Sequence, residues 1–221
     1  MDALQDLLAA LVSLSYLELM LGLLITGAVI LILGDWRMNL WALMAQFVLV
    51  GVLLARVIPL RVALIKVIIG SMACVILYLT ARRVHWGKEM AENHRHREPS
   101  LAGREAFSMN LWFRLPVALL AAVVSYTLGS RHPFVDQPYG ISEACYWLVG
   151  VGLLIVVLAR DPFKVGLGLL TFQAGFGILL ATFEKSLSVA ALVGMVNLLI
   201  ALAVAYLTAT QTAFPTEDDQ A

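Results

Sequence analysis

The chain has 221 residues, of which 61% are hydrophobic and only 14% are charged. A soluble domain normally carries about 25% charged residues, so this composition excludes a water-soluble core and predicts an all-α integral membrane protein. The formal net charge of +0 argues against nucleic acid as a partner.

Seven apolar segments are predicted to be membrane-spanning helices, because a helix needs about 20 mostly apolar residues to cross the hydrocarbon core. Pro59 and Pro162 stand at the first turns of the third and sixth segments, where the missing backbone N–H is not needed. Pro116 lies inside the fourth segment and predicts a bend. The predicted spans are residues 12–34, 38–57, 59–81, 111–129, 141–159, 163–183 and 187–210.

The lysines and arginines predict how these spans are oriented. One side of the membrane would carry ten of the 15, including those of the 82–110 connector, and the other side would carry four. The remaining one, Lys66, would lie inside the membrane. Since cytoplasmic loops are enriched in Lys and Arg, the connector and the acidic tail 211–221 are predicted to be cytoplasmic and the N-terminus to be outside, in an inner (cytoplasmic) membrane.

A three-helix unit is predicted to occur twice. The first three spans and the last three share polar residues at similar spacing, with 11 and 12 residues from Asp to Gln and 32 and 33 from Gln to Tyr. A three-span unit begins and ends on opposite sides of the membrane, so span 111–129 provides the crossing that gives both copies, residues 1–81 and 141–210, one orientation. The prediction is a pair of parallel repeats. The matching residues are Asp35, Gln46 and Tyr78, and Asp161, Gln173 and Tyr206.

The sixth span is predicted to pack closely against its neighbours. It contains Gly166, Gly168, Gly175 and Gly177, which leave two of its faces without side chains. Small residues of this kind let helix backbones approach in a membrane.

The stretch from Val157 to Ala209 combines the turn Arg160-Asp161 with a Gly-rich helix (Gly166-Leu167-Gly168-Leu169-Leu170) and a last helix with one polar residue (Val196-Asn197-Leu198-Leu199). It resembles the K-type (4L) membrane subunit of respiratory complex I, the C-type subunit of Mrp antiporters and the E component of energy-converting membrane hydrogenases. The longer hydrogenase components look similar over nearly the whole chain, including a lysine like Lys66 in the third span. The resemblance implies a place in a membrane arm, between a redox module and antiporter-like subunits.

This chain departs from the K-type pattern at the membrane-buried acids. K-type subunits carry one acid in each of their last two helices, and the matching positions here hold Leu170 and Asn197. An amide does not change protonation near neutral pH. The resemblance therefore implies either a structural variant or ionisable groups that have moved elsewhere in the chain.

Lys66 is the candidate for such a group. It lies about 10 Å inside its span by helical rise, at a depth where a charged side chain is costly and usually functional. The lysine could extend its amine to the membrane surface, form an ion pair with Glu18, or carry protons. Glu18 could equally be a surface residue, if the first span begins late.

Three amide side chains are further candidates. Asn197 and Gln173 are each about ten residues into their helices, which places both near the membrane midplane at about 15 Å. They could form a hydrogen bond that clamps two helices together, or they could line a hydrated polar path. Gln46 in the second span is interpreted as a packing residue in the same way.

No residue pattern predicts a catalytic site, a cofactor or a structural metal site. His94 and His96 form a His-x-His pair in the connector, but a structural metal site needs four ligands at tight spacing and no cysteine or second histidine pair follows. Cys74 and Cys145 fall within apolar spans and are interpreted as small buried hydrophobes.

The sequence therefore predicts an accessory membrane-arm subunit of a complex I-like or hydrogenase-like ion-translocating complex. Its partners would be membrane lipid and the antiporter-like and other membrane-arm subunits. Two alternatives stay open: a self-contained small-solute or ion transporter, and a structural membrane scaffold with no ion route. The chain is not expected to be an enzyme on its own.

Overall fold

The computed structural model describes residues 15–33, 35–94, 102–133, 140–159, 161–184 and 186–213. These residues form seven α-helices and no β-strand, which confirms the predicted all-α class. The helices are α1 (Tyr16–Ile32), α2 (Trp36–Ala55), α3 (Leu60–His94), α4 (Ala102–Arg131), α5 (Ile141–Leu158), α6 (Pro162–Phe183) and α7 (Leu187–Ala213).

Five of the described helices are long and apolar enough to cross a membrane. These are α2, the Leu60–Arg83 part of α3, α5, α6 and the Leu187–Thr210 part of α7. Their outward faces expose large hydrophobic side chains, such as Ile68 and Leu202, which are suited to contact with lipid. The chain is therefore a multi-pass helical membrane protein.

Two of the seven predicted spans do not meet these criteria of length and composition. Helix α1 has 17 residues, so it is about 26 Å long by helical rise, somewhat shorter than the ~30 Å hydrocarbon core. The described side chains of α4 include Arg114 and Arg131, which lower its apolar character. Residues 12–14 of the predicted first span lie outside the described residues.

Helices α3 and α4 extend well beyond the predicted spans. α3 continues from the predicted end at residue 81 to His94, and α4 begins at Ala102 rather than at residue 111. Arg, Lys, Glu, Met and Ala dominate the α3 extension, and these are strong helix formers even in water. The connector is therefore helical over much of its described length.

The N-terminus of α1 is fixed by a capping box. Ser15 Oγ accepts a hydrogen bond from the Glu18 backbone N–H at 3.3 Å, and the Glu18 carboxylate accepts one from the Ser15 N–H at 2.7 Å. This reciprocal pair satisfies two of the backbone donors that a helix start leaves free. Glu18 therefore belongs to the first turn of α1, where it is exposed.

The helices form two rows that pack against each other. In one row α1 packs on α2 and α2 packs on α3. In the other row α5 packs on α6 and α6 packs on α7. Across the rows, α1 packs on α5, α2 on α6 and α3 on α7, while α4 packs on α5 and α1. On one side of the central pair α2 and α6, Ile69 of α3 therefore lies against Gly194 of α7.

The first helices of the two rows, α1 and α5, run in the same direction. The Trp147 indole N–H of α5 donates to the Leu23 carbonyl of α1 at 2.9 Å, and one turn further along both helices Val151 lies against Gly27. Gly140, just before α5, lies against Tyr16 at the start of α1. The contacts thus advance together along the two helices, so α1 and α5 are parallel.

The predicted close packing of the Gly-rich sixth span is confirmed. A Cβ added at Gly175 would lie 2.8 Å from the Val149 backbone nitrogen of α5, and one added at Gly168 would lie 2.9 Å from the Val156 nitrogen. Gly166 and Gly177 instead face α7 and α3. Glycine is required at the first two positions because the α5 backbone occupies the space of a side chain.

Candidate functional site

The structure brings Lys66, Gln173 and Asn197 together around one small cavity between the two rows. Lys66 comes from α3, Gln173 from α6 and Asn197 from α7. The cavity has a volume of about 20 Å³, which is enough for one water molecule. Its remaining walls are apolar side chains and glycines: Phe47, Val50 and Gly51 of α2, Ile69 of α3, Ala174 and Gly177 of α6, and Val193 and Gly194 of α7. We call these eleven residues the inter-row cavity.

The Lys66 amine is directed inward to α6. Its Nζ donates a hydrogen bond to the Gly177 backbone carbonyl, and the side chain is partly buried. Gly177 makes this contact possible, because a Cβ there would lie only 3.2 Å from Nζ. The lysine does not extend outward along α3 to the membrane surface, which was one of the three possibilities open from the sequence.

The suggested ion pair between Lys66 and Glu18 is not formed. The Glu18 carboxylate is held in the capping box of α1, and α1 packs on α2, α4 and α5 rather than on α3. No Asp or Glu is among the residues that line the inter-row cavity. Within the inter-row cavity, the Lys66 amine therefore has the Gly177 carbonyl as its hydrogen-bond partner and no carboxylate.

The two amides of the cavity are buried but do not bind each other. Gln173 is 9% exposed and Asn197 is 8% exposed, and the Asn197 Oδ1 atom has no hydrogen-bond partner in the described part of the chain. A buried polar atom without a partner costs about 1–3 kcal/mol unless water satisfies it. A water in the inter-row cavity would be within the reach of both amides and of the lysine amine.

Gln46 is fully buried on α2, one turn before Val50 of the cavity wall. Neither its Oε1 nor its Nε2 atom has a hydrogen-bond partner among the described residues. Gln46 does not line the inter-row cavity. Of the four polar candidates inside the spans, three therefore converge on the cavity and Gln46 does not. The sequence did not distinguish it from Gln173, its counterpart in the predicted repeat.

A second polar cluster, at the C-terminal end of α1, was not predicted from the sequence. Lys164 Nζ donates to the Leu33 carbonyl at 2.8 Å, Asn39 Nδ2 donates to the same carbonyl at 3.2 Å, and Arg114 donates to the Leu31 carbonyl at 3.2 Å. Cations are favoured at this end of a helix by its dipole and its free carbonyls. The only signal in the sequence is that the last turn of α1 has no basic residue of its own.

The two cysteines and the His-x-His pair do not contribute to either polar cluster in the described part of the chain. Cys74 and Cys145 are both buried and free, and Cys145 Sγ donates to the Gly175 carbonyl at 3.3 Å. Among the residues that the structure describes, no three His, Cys, Asp or Glu side chains are grouped as a metal ion would require. The side chain of His94 and all of His96 lie outside the described structure.

A comparison of the chain with protein-family models, with curated proteins and with solved structures finds no match.

Proposed function

We propose that this protein is an accessory membrane-arm subunit of a complex I-like or hydrogenase-like ion-translocating redox complex. Its role is mainly structural, with a contribution to the proton path from the Lys66 cluster. One observation carries the proposal: a lysine lies inside a membrane bundle, faces a cavity with two amides, and has no carboxylate partner there. Ionisable groups in this setting are rare and usually mark an ion route.

The proposed membrane arrangement is seven crossings, with residues 1–81 and 141–210 as two parallel three-helix repeats and span 111–129 as the link. The pairwise packing of α1 on α5, α2 on α6 and α3 on α7 supports it. The parallel orientation of α1 and α5 also supports this arrangement. In this arrangement α4 is the extra crossing, and α1 crosses a slightly thinned or locally adapted membrane.

The inter-row cavity provides the chemistry for a proton relay of one step. Lys66 in its neutral form would accept a proton that arrives through a water in the cavity, and that water would be reprotonated from outside. In its charged form the amine is stabilised by the Gly177 carbonyl. Gln173 and Asn197 do not titrate, so they orient the water and accept or donate hydrogen bonds. The relay needs a proton donor and acceptor outside this cavity, which in the proposed setting come from neighbouring subunits.

The partners of the proposed subunit are antiporter-like and other membrane-arm subunits, in an inner membrane with the C-terminus in the cytoplasm. Exposed apolar faces on α3 and α7 supply area for such contacts as well as for lipid. The resemblance of residues 157–209 to K-type subunits points to the same neighbours.

A structural scaffold without an ion route is the second candidate. It is favoured by the single-water size of the inter-row cavity and by the close glycine packing of α5 on α6. Both features suit a rigid spacer between other subunits. The same small volume counts against a self-contained solute transporter that uses this cavity.

Replacement of Lys66 by Met in the native host separates these candidates. Proton uptake by inverted membrane vesicles is measured by acridine-dye quenching with NADH, formate, hydrogen or reduced ferredoxin, and assembly is measured on blue-native gels. Lost uptake with normal assembly supports the proton path, whereas lost assembly supports the scaffold. Arg61→Gln, an exposed position near the start of the same helix, is the matched control and should change neither.

A further inference from the structure

A large groove opens on the membrane-facing side of α2 and α3, away from the inter-row cavity. It has a volume of about 1030 Å³, and its walls come from the first half of α2 and from residues 74–82 of α3. We call it the α2–α3 groove. Neither the proposed function nor the two polar clusters described above accounts for it.

One end of the α2–α3 groove is charged and aromatic. Arg37 and Arg82 line this end, together with Asp35. The Arg37 guanidinium lies 5.1 Å from the centre of the Trp36 ring, and Trp36 lies 6.2 Å from the ring of Tyr78. Trp and Tyr at this level are typical of the interface between lipid headgroups and the hydrocarbon core.

The rest of the α2–α3 groove is apolar and exposed. Met38, Trp41 and Met44 line it from α2, and Val75 lines it from α3. These four side chains are 42% to 70% exposed. The wall from Arg37 to Met44 is about 10 Å long by helical rise, against about 15 Å for one leaflet of the hydrocarbon core. The groove therefore reaches from the headgroup level through much of a single leaflet.

We propose that the α2–α3 groove is a binding site for an anionic phospholipid. The two arginines would hold the phosphate and headgroup, since guanidinium groups bind phosphate oxygens with two hydrogen bonds. One acyl chain would lie along Met38, Trp41, Met44 and Val75. Among the described residues that line the groove, two arginines stand against one aspartate, which favours a lipid with a net negative charge over a zwitterionic lipid.

The location of the site agrees with this assignment. The groove's charged end is the end that carries Lys164 and Arg114 against α1, and the lysine and arginine distribution predicts that this end is cytoplasmic. The cytoplasmic leaflet is the anionic one, and basic pockets between helices on that side bind anionic headgroups. A helix of a partner protein would not need the arginines at the rim of the groove.

Photocrosslinking in nanodiscs tests the proposal with the full chain. Two probe lipids with the same diazirine-bearing acyl chain are compared, phosphatidylglycerol and phosphatidylcholine, and the crosslinked peptides are mapped by mass spectrometry. We expect phosphatidylglycerol to label residues 38–44 and 75–78 in clear excess over phosphatidylcholine. The double variant Arg37→Gln/Arg82→Gln should lower that excess about 30-fold, since each basic residue near an anionic surface contributes about 1 kcal/mol of attraction.

Arg61→Gln is the control, because Arg61 is exposed on the same α3 helix about 30 Å from Arg82 by helical rise. It should leave the labelling unchanged. Equal labelling by the two lipids, or an excess that survives the double variant, would overturn the proposal. Protection of the groove from both lipids in the complex purified from native membranes would also overturn it, and would show that a partner protein covers this face.

Discussion

Replacement of Lys66 by Met should leave the thermal stability of the isolated protein nearly unchanged. Met has a similar length and volume but no charge. The variant loses the hydrogen bond from Nζ to the Gly177 carbonyl, and a hydrogen bond to a charged group contributes about 1.5–3 kcal/mol. The variant also avoids the free-energy cost of holding a charged amine inside a membrane, which is about 2.5–3.5 kcal/mol at a helix centre. The two effects nearly cancel.

The expected difference is therefore within about 1 kcal/mol, or a shift in Tm of about 2–4 °C in either direction for a protein of this size. Tm is measured in detergent by the loss of the monodisperse peak in size-exclusion chromatography after heating. Leu77→Ala is the positive control, since Leu77 is fully buried on the same helix. Its loss of packing should cost about 2–5 kcal/mol and lower Tm by at least about 5 °C.

A fall in Tm for Lys66→Met as large as that for Leu77→Ala would refute this reasoning. It would show that the lysine mainly holds α3 against α6, and a structural clamp would then explain its place in the membrane. Unchanged stability together with lost proton uptake would assign the lysine to the ion route, because the fold would not depend on its charge.

Two further predictions concern the packing of α5, and both use the same thermal assay. Gly175→Ala should lower the free energy of unfolding by about 1–3 kcal/mol, because its Cβ would lie 2.8 Å from the Val149 backbone nitrogen; Gly150→Ala, whose Cβ would meet only a hydroxyl at 3.6 Å, should have little effect. Equal effects of the two would contradict the close helix approach. Trp147→Phe removes the hydrogen bond to the Leu23 carbonyl at 2.9 Å and should cost about 0.6 kcal/mol for that bond, plus the lost ring area; a stabilised variant would contradict the contact between the rows.

The sequence predicts the helices well because each one is a long apolar segment between polar breaks. Five of the seven predicted spans meet the criteria of length and composition, and all seven overlap an observed helix. The predicted and observed helix ends differ most where local helix propensity or capping, rather than hydropathy, decides where a helix begins or ends. Good helix formers carry α3 past Arg83 to His94, and the capping box starts α1 at Tyr16.

The candidate site could be predicted only in part. The positions of Lys66, Gln173 and Asn197 along their helices predict that all three polar side chains lie inside the membrane. They do not predict which faces of these helices contact one another. Their convergence depends on the packing of α3 on α7 across the rows, between helices far apart in sequence. Of the three alternatives that the sequence left open for Lys66, the ion pair with Glu18 is not formed, because the Glu18 carboxylate accepts a hydrogen bond from the Ser15 backbone N–H three residues away.

The cluster at the end of α1 shows a further limit of the sequence. Lys164 and Arg114 were counted only as charges that orient the protein. In the structure both bind the last carbonyls of α1, on which neither of them lies. A helix end without its own cap indicates that some other element must supply donors, but it does not indicate which one.

Co-purification from native membranes tests the central claim most directly. The chain is extracted in a gentle detergent with a C-terminal affinity tag, and the proteins that elute with it are identified and quantified by mass spectrometry. We predict antiporter-like membrane subunits and iron–sulfur proteins in near-equal amounts with this chain. Recovery of the chain alone, or only with copies of itself, would contradict the proposed place in an ion-translocating redox complex.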